Sequence, residues 1–265
     1  MAEYSFTTPS PVELDVRVPA GDVKVETVDG DVSTVVVEGD ERLIERTRVD
    51  LVGNRLLVEF EGGKGPFAIT ISIGDWTIGR TPLTIRARVP HSSRAQFSTA
   101  SADMSLRGRF SALETKSASG DLFVEGEIEG DAEVRTVSGD VRLQTVGRDL
   151  TAQSVSADIS VAYVVGDVTA KSVSGDVRVD SAREGRVTVQ SVSGDIAVGV
   201  APGTNLDVDA GSVSGDLSSD VPLGSDAGAV GDGPLLVVRG KTVSGDFKVF
   251  RAVAAMAPVV REGVG

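Results

Sequence analysis

Aspartate is the residue type in this sequence whose spacing points most clearly to chemistry. It recurs after a Ser-Gly or Ser-Ala pair in phrases such as SVSGDVRV, TVSGDVRL and SVSADISV. The steps between copies are 18, 19, 18, 18, 19, 21 and 30 residues, for Asp103, Asp121, Asp140, Asp158, Asp176, Asp195, Asp216 and Asp246. Such a repeat predicts a column of carboxylates stacked about 5 Å apart.

Two roles are open for this aspartate column. The carboxylates can accept hydrogen bonds from backbone N–H groups of their own turns, as in Asx turns. They can instead bind calcium, since acidic nonapeptide repeats form a calcium β-roll. The calcium ligands would then be Asp140, Asp158, Asp176 and Asp195. That motif needs several glycines in each nonapeptide, and most half-coils here carry one, so we favour the backbone role.

Hydroxyl side chains form two further columns, one on each side of the valine in the SVSGD phrase. The first column contains Thr136, Ser154, Ser172, Ser191, Ser212 and Thr242. The second column contains Ser138, Ser156, Ser174, Ser193, Ser214 and Ser244. We expect both columns to be solvated and the valine between them to point inward. A flat hydroxyl array is also suited to binding a sugar or ice, although serine is less stiff than the threonine expected there.

The remaining residue types argue against catalysis. The sequence has no cysteine and a single histidine, His91, which follows Pro90 and is expected in a surface turn. No GxSxG elbow, GxGxxG fingerprint or phosphate loop stands in a fitting context. We therefore predict a protein that is not an enzyme and that uses no cofactor.

The charge balance argues against a whole class of partners. The chain has 39 acidic and 26 basic side chains and a net charge of −13. Binding to nucleic acid relies on Lys and Arg that neutralise phosphates, so no nucleic-acid partner is expected. No stretch approaches the roughly 18 apolar residues of a membrane helix, and the N-terminus lacks a secretory signal pattern. We expect a cytoplasmic protein without a membrane span.

Valine-rich nonapeptides supply the elements that would position these columns. Asp131, Asp149 and Asp167 fall midway between copies, so the repeat halves to nine residues. The first, third and sixth residues after each aspartate are apolar in six successive nonapeptides: Ala132, Val134, Val137; Val141, Leu143, Val146; Leu150, Ala152, Val155; Ile159, Val161, Val164; Val168, Ala170, Val173; Val177, Val179, Ala182. The first and third share one face of a strand, and the sixth is expected to point inward after the corner. The pattern predicts an all-β fold, a parallel β-solenoid with coils of about 18 residues over residues 98–250.

Residues 1–97 follow a different pattern. Residues 12–18 and 83–89 alternate between apolar and polar, and Gly53-Asn54 predicts a hairpin turn between residues 49–52 and 56–60. We predict an N-terminal antiparallel β module that caps the first coil, because solenoids need covered ends. Residues 251–265 are expected to be a tail. Since little chain follows Val249, we expect the last coil to present an open edge.

The opening LDVRVPAGDVKVETVDG, the later LTIRARVP and the serial SxSGD phrases carry a resemblance across nearly the whole chain. They resemble a bacterial β-strand-repeat family labelled "putative adhesin", a domain of unknown function. The resemblance implies a solenoidal β fold and brings no catalytic residues with it.

These patterns together favour a non-enzymatic structural or interaction protein that binds a protein partner or self-associates. The expected interaction face is the second serine column, Ser138, Ser156, Ser174, Ser193, Ser214 and Ser244. The alternative is a calcium- or glycan-binding β-solenoid module.

Overall fold

The chain forms strands along most of its described length. The structure is a computed structural model that describes residues 1–61, 83–221 and 233–252. A short helix, α1 (Glu41–Glu45), lies among its strands. The strands are β1 (Ala2–Thr7), β2 (Glu13–Val28), β3 (Val32–Glu38), β4 (Thr47–Val52), β5 (Arg55–Phe60), β6 (Thr84–Pro90), β7 (Ser93–Ser119), β8 (Leu122–Ile128), β9 (Ala132–Arg135), β10 (Val141–Val146), β11 (Leu150–Gln153), β12 (Ile159–Val164), β13 (Val168–Lys171), β14 (Val177–Ala182), β15 (Gly185–Gln190), β16 (Ile196–Val200), β17 (Asn205–Ser212), β18 (Leu217–Ser219), β19 (Leu235–Thr242) and β20 (Phe247–Arg251). The predicted all-β class is confirmed.

Two columns of parallel strands build the solenoid. One column runs through β8, β10, β12, β14 and β16, and the other runs through β9, β11, β13 and β15. In the first column Val141 lies opposite Ile159, and Ile159 lies opposite Val177. These three side chains are at most 2% exposed. Branched residues therefore stack in one axial file, as predicted, and the parallel β-solenoid is confirmed.

The N-terminal strands extend the solenoid as well as cover it. β2 pairs in parallel with β7 along most of its length, and its two halves pair in parallel with β5 and β6. The antiparallel pairs are β1–β3, β3–β6 and β4–β5. The predicted hairpin is β4–β5, which turns at Gly53 with a φ of 63°. The antiparallel layer is thus outermost, and β2, β5 and β6 continue the parallel stack beneath it.

The predicted division of the chain falls inside a strand. β7 runs across the boundary between residues 97 and 98, and one hydrophobic cluster includes buried residues from both sides of it. The division into residues 1–97, 98–250 and 251–265 stays a prediction, and residues 253–265 lie outside the described part of the chain.

The last coils are stacked out of sequence order. β19 pairs with both β15 and β17, and β20 pairs with both β16 and β18. Val249 therefore lies between Val198 and Ser219, and the predicted open edge at Val249 is wrong. The last described layer is β17–β18. In this order β20 buries Phe247, whereas Leu217 at the equivalent position of the terminal β18 is 55% exposed.

Near this end, two neighbouring coils fill the core with side chains of different size. Gly240 lies opposite Val189, and Phe247 lies opposite Ile196. A Cβ atom on Gly240 would stand 1.9 Å from a ring carbon of Phe247. The glycine thus makes room for the phenyl ring, where the preceding coil uses valine with isoleucine.

We expect Gly240→Val to lower the midpoint of thermal unfolding, followed by circular dichroism, because overpacking a filled core costs about 1–3 kcal/mol. The double variant Gly240→Val/Phe247→Ile installs the pair of the preceding coil and should recover much of the loss. An equal loss in the single and double variants would show that the ring does not set the requirement for glycine.

Candidate functional site

The aspartate column forms a continuous hydrogen-bonded ladder. Each carboxylate accepts a bond from the backbone N–H of the aspartate one coil further along the stack, at N···O distances of 2.8–3.4 Å. The donor–acceptor pairs are Asp121–Asp103, Asp140–Asp121, Asp158–Asp140, Asp176–Asp158, Asp195–Asp176, Asp246–Asp195 and Asp216–Asp246. The expected Asx-type bond within each aspartate's own turn is corrected: the donor belongs to the neighbouring coil, because the corner aims the carboxylate along the stack.

A second ladder of the same kind follows the half-repeat. Asp131 accepts from Asp149 N–H, Asp149 from Asp167 N–H, and Asp167 from Arg186 N–H. Stacked carboxylates repel each other by about 0.9 kcal/mol in water. A hydrogen bond to a charged acceptor contributes about 1.5–3 kcal/mol, so the ladder bond outweighs the repulsion that the stacking creates.

Calcium binding by Asp140, Asp158, Asp176 and Asp195 stays a prediction. One oxygen of each carboxylate is already used by the next coil. Calcium takes 6–8 oxygen ligands. Within the described residues, no group of three or more His, Cys, Asp or Glu side chains is arranged to hold a metal ion.

The first hydroxyl column lies inside the coil. The buried members are Thr136, Ser154, Ser172, Ser191 and Thr242. Thr136 donates to the carbonyl of Ser138 at 2.8 Å, and Ser154 Oγ accepts from Ala157 N–H at 2.7 Å. The expectation that this column is solvated is therefore wrong: Thr136 and Ser154 bond backbone groups of the tight corner, whereas the buried Ser172 Oγ and Ser191 Oγ have no hydrogen-bond partner among the described residues.

The valine between the two hydroxyl columns points outward. The valine column, defined in stacking order, is Val137, Val155, Val173, Val192, Val243 and Val213, and its members are 44–81% exposed. The prediction that Val137, Val155 and Val173 point inward is wrong, whereas the sixth positions of the other half-repeat, Val146, Val164 and Ala182, are buried as predicted. Since side chains alternate along an extended segment, an inward hydroxyl forces the next valine outward.

The second serine column lies beside these valines on the surface. Ser156, Ser174, Ser193, Ser214 and Ser244 are exposed and Ser138 is half-exposed. Their backbones are fixed to the adjacent coil: the N–H of Ser156 donates to Val137 O at 2.8 Å, and that of Ser174 donates to Val155 O at 2.8 Å. The valine column and the second serine column together are called the SVS face below.

His91 lies away from this face, in the turn between β6 and β7. Its Nδ1 is 2.8 Å from Thr27 Oγ1, and its Nε2 is 3.4 Å from Asp29 Oδ1. Thr27 Oγ1 also accepts from Arg109 N–H at 2.8 Å. These contacts fix the turn at the start of the solenoid.

Two acidic groups with displaced pKa values also lie off the SVS face. A hydrogen bond from Lys116 lowers the pKa of Glu114, and Arg94 adds to the effect. A hydrogen bond from Arg239 lowers the pKa of Asp207 and ties β17 to β19. Both are surface ion pairs that keep their carboxylates charged, and neither provides a general acid.

Residues 10–250 match a family model described as Toastrack DUF4097. The chain belongs to the Toastrack family. Membership confirms the resemblance that the repeated phrases indicate. No curated protein sequence matches the chain. In the described residues, no helix is long and apolar enough to cross a bilayer.

Three solved structures are similar to this Toastrack solenoid. A "putative adhesin" from Bacteroides fragilis NCTC 9343 is 13% identical, with a TM-score of 0.55 over 94% of this chain and 96% of that one. A "putative adhesin" from Parabacteroides distasonis ATCC 8503 is 15% identical, with a TM-score of 0.58 over 93% and 96%. A "putative lipid binding protein" from the same Parabacteroides strain is 15% identical, with a TM-score of 0.51 over 94% and 96%. At these identities the likeness shows the fold.

The ladder predicts a difference between two substitutions at Asp176. Asp176→Ala removes the acceptor for Asp195 N–H and should destabilise the fold by about 1 kcal/mol. Asp176→Asn keeps an acceptor oxygen and removes one charge from the column, so we expect an unfolding midpoint near that of the wild type. Thermal and urea unfolding of both variants measure this, and equal losses in both would contradict the ladder bond.

Proposed function

We propose that this protein is a non-enzymatic interaction protein whose SVS face binds a protein partner. The valine column carries the proposal. Six valines on consecutive layers of the stack are 44–81% exposed, and a polar serine column runs beside them. Single exposed valines are ordinary on protein surfaces, whereas a contiguous apolar patch with a polar rim is typical of a protein contact site.

The backbone of the SVS face favours binding. Hydrogen bonds between coils hold each Ser-Val-Ser segment, as in Ser193 N–H to Val173 O at 2.9 Å. Valine and serine also have few rotamers to lose, so a partner would order little when it binds. Two similar solved structures carry the name "putative adhesin", which agrees with an interaction role.

A photocrosslinking experiment in cells that natively produce the chain tests this proposal. The substitution Ser174→benzoylphenylalanine places the probe on the SVS face, and Thr169→benzoylphenylalanine places it on the outer surface of β13 as a matched control. We expect a discrete adduct from the first position, and its loss when Val155→Thr, Val173→Thr and Val192→Thr are added. No adduct from Ser174, or the same adduct from both positions, would contradict the proposal.

A second candidate, end-to-end self-association, is favoured by the layer β17–β18. Within the described residues, β17 and β18 pair with strands on one side only. The carboxylate of Asp216 ends the ladder there, and no described N–H from a further coil reaches it. An unpaired strand edge is a template for strand addition from another molecule.

Light scattering across a concentration series tests the end-to-end association. Asp216 O and Asp220 N–H bond to β20, so the N–H of Leu217 points to the open edge. We expect the wild type to form species larger than dimers and Leu217→Pro to lose them. Leu217→Ala keeps the N–H and is the control. Equal masses for the wild type and the proline variant would rule out assembly through this edge.

A further inference from the structure

The SVS face carries opposite charges on its two sides. Two residues before the valines stand exposed basic or amide side chains, Arg135, Gln153, Lys171, Gln190 and Lys241. Three residues after the same valines stand the ladder aspartates Asp140, Asp158, Asp176, Asp195 and Asp246. An apolar stripe therefore runs between an acidic flank and a flank with three basic side chains and two amides, called the basic flank below, in which Arg135 also pairs with Glu133.

We propose that a partner of the SVS face is a second copy of this chain, packed side by side with its solenoid axis parallel to the first. This inference rests on the proposed function and names the partner. A two-fold axis parallel to the solenoid places valine column on valine column, and the basic flank of each copy against the acidic flank of the other. The alternative two-fold axis, perpendicular to the solenoid, would place basic on basic and acidic on acidic, so charge selects the parallel arrangement.

The spacing of the side chains suits this contact. Coils repeat at about 4.8 Å in both copies, so valines on equivalent layers can interdigitate along the stack. Each ladder carboxylate uses Oδ1 for the next coil, as Asp176 does for Asp195 N–H. The Oδ2 atoms of the exposed Asp176 and Asp246 take no part in the ladder, and the long side chain of Lys171 or Lys241 of the second copy can reach them, whereas Oδ2 of Asp140 is bonded to Arg142.

The face is small for a protein interface. Six layers at the strand spacing give the face a length of roughly 29 Å. Its width is below the roughly 17 Å of five extended residues because the chain bends there, so the face covers less than about 500 Å². A standard stable interface buries about 800 Å² per partner. We therefore expect a weak dimer, with a dissociation constant between about 10 µM and 1 mM.

Sedimentation velocity of the full chain from about 5 to 500 µM tests the dimer, with the Leu217→Pro background excluding end-to-end species. We expect the average mass to rise toward twice the monomer. The triple variant Val155→Thr, Val173→Thr and Val192→Thr should weaken the association at least tenfold, and Lys171→Gln with Lys241→Gln should weaken it less, with a reduced salt dependence.

A matched control makes the reverse change on another surface. Thr151, Thr169 and Thr188 form an in-register column on β11, β13 and β15. Replacing all three by valine should leave the association unchanged. A Leu217→Pro protein that stays monomeric at 500 µM would overturn the inference, and a Ser174 crosslink to another protein would then still support the interaction function. Equal effects of the two triple variants would also overturn it.

The orientation is tested separately, because the chain has no native cysteine. Ser138→Cys lies at one end of the face and Ser214→Cys at the other. A short bismaleimide should join two copies of Ser138→Cys if the solenoids are parallel. Crosslinking that occurs only between Ser138→Cys and Ser214→Cys would show an antiparallel pair and overturn the proposed alignment.

Discussion

In-register parallel pairing is the constraint on which the rest of this structure depends. Backbone hydrogen bonds between coils hold each residue over its counterpart about 18 positions away, so like stacks on like along the axis. For the core this is favourable, because branched side chains such as Val141, Ile159 and Val177 stack in one buried file. For charged residues the same constraint is unfavourable, because it stacks carboxylates on one another. Hydrogen bonds from the backbone N–H groups of the next coil to these carboxylates offset the repulsion.

The same register repeats the outward valine of each Ser-Val-Ser corner and so produces a continuous apolar surface. A single outward valine would mean little, but repetition of the Ser-Val-Ser corner extends it over six layers. Repetition also aligns the residues on either side, so basic and acidic side chains become separate flanks. The pattern of this surface thus follows from the order of residues within one corner, repeated along the stack.

The nonapeptide pattern was sufficient to predict the solenoid, its coil length and the file of Val141, Ile159 and Val177, because strand alternation and glycine turns act locally. It failed where two half-repeats share apolar residues but not geometry. Val137 and Val146 occupy equivalent sequence positions, yet one is 51% exposed and the other is fully buried. The difference lies in the preceding residue: Thr136 is buried in the corner, whereas Thr145 before Val146 is half-exposed. Only the path of the chain through that corner decides which side chain turns inward.

Long-range order was likewise beyond the sequence pattern. The steps of 21 and 30 residues reveal interruptions, but they do not say which coil docks on β15–β16. Because β19–β20 occupies that position, β17–β18 has no finished surface to rest on until the segment after it has folded. During synthesis, the coils at this end therefore cannot be added to the stack in sequence order. The terminal layer, β17–β18, is synthesised before the layer on which it docks. This end of the solenoid therefore forms late, after the chain has been made at least as far as Arg251.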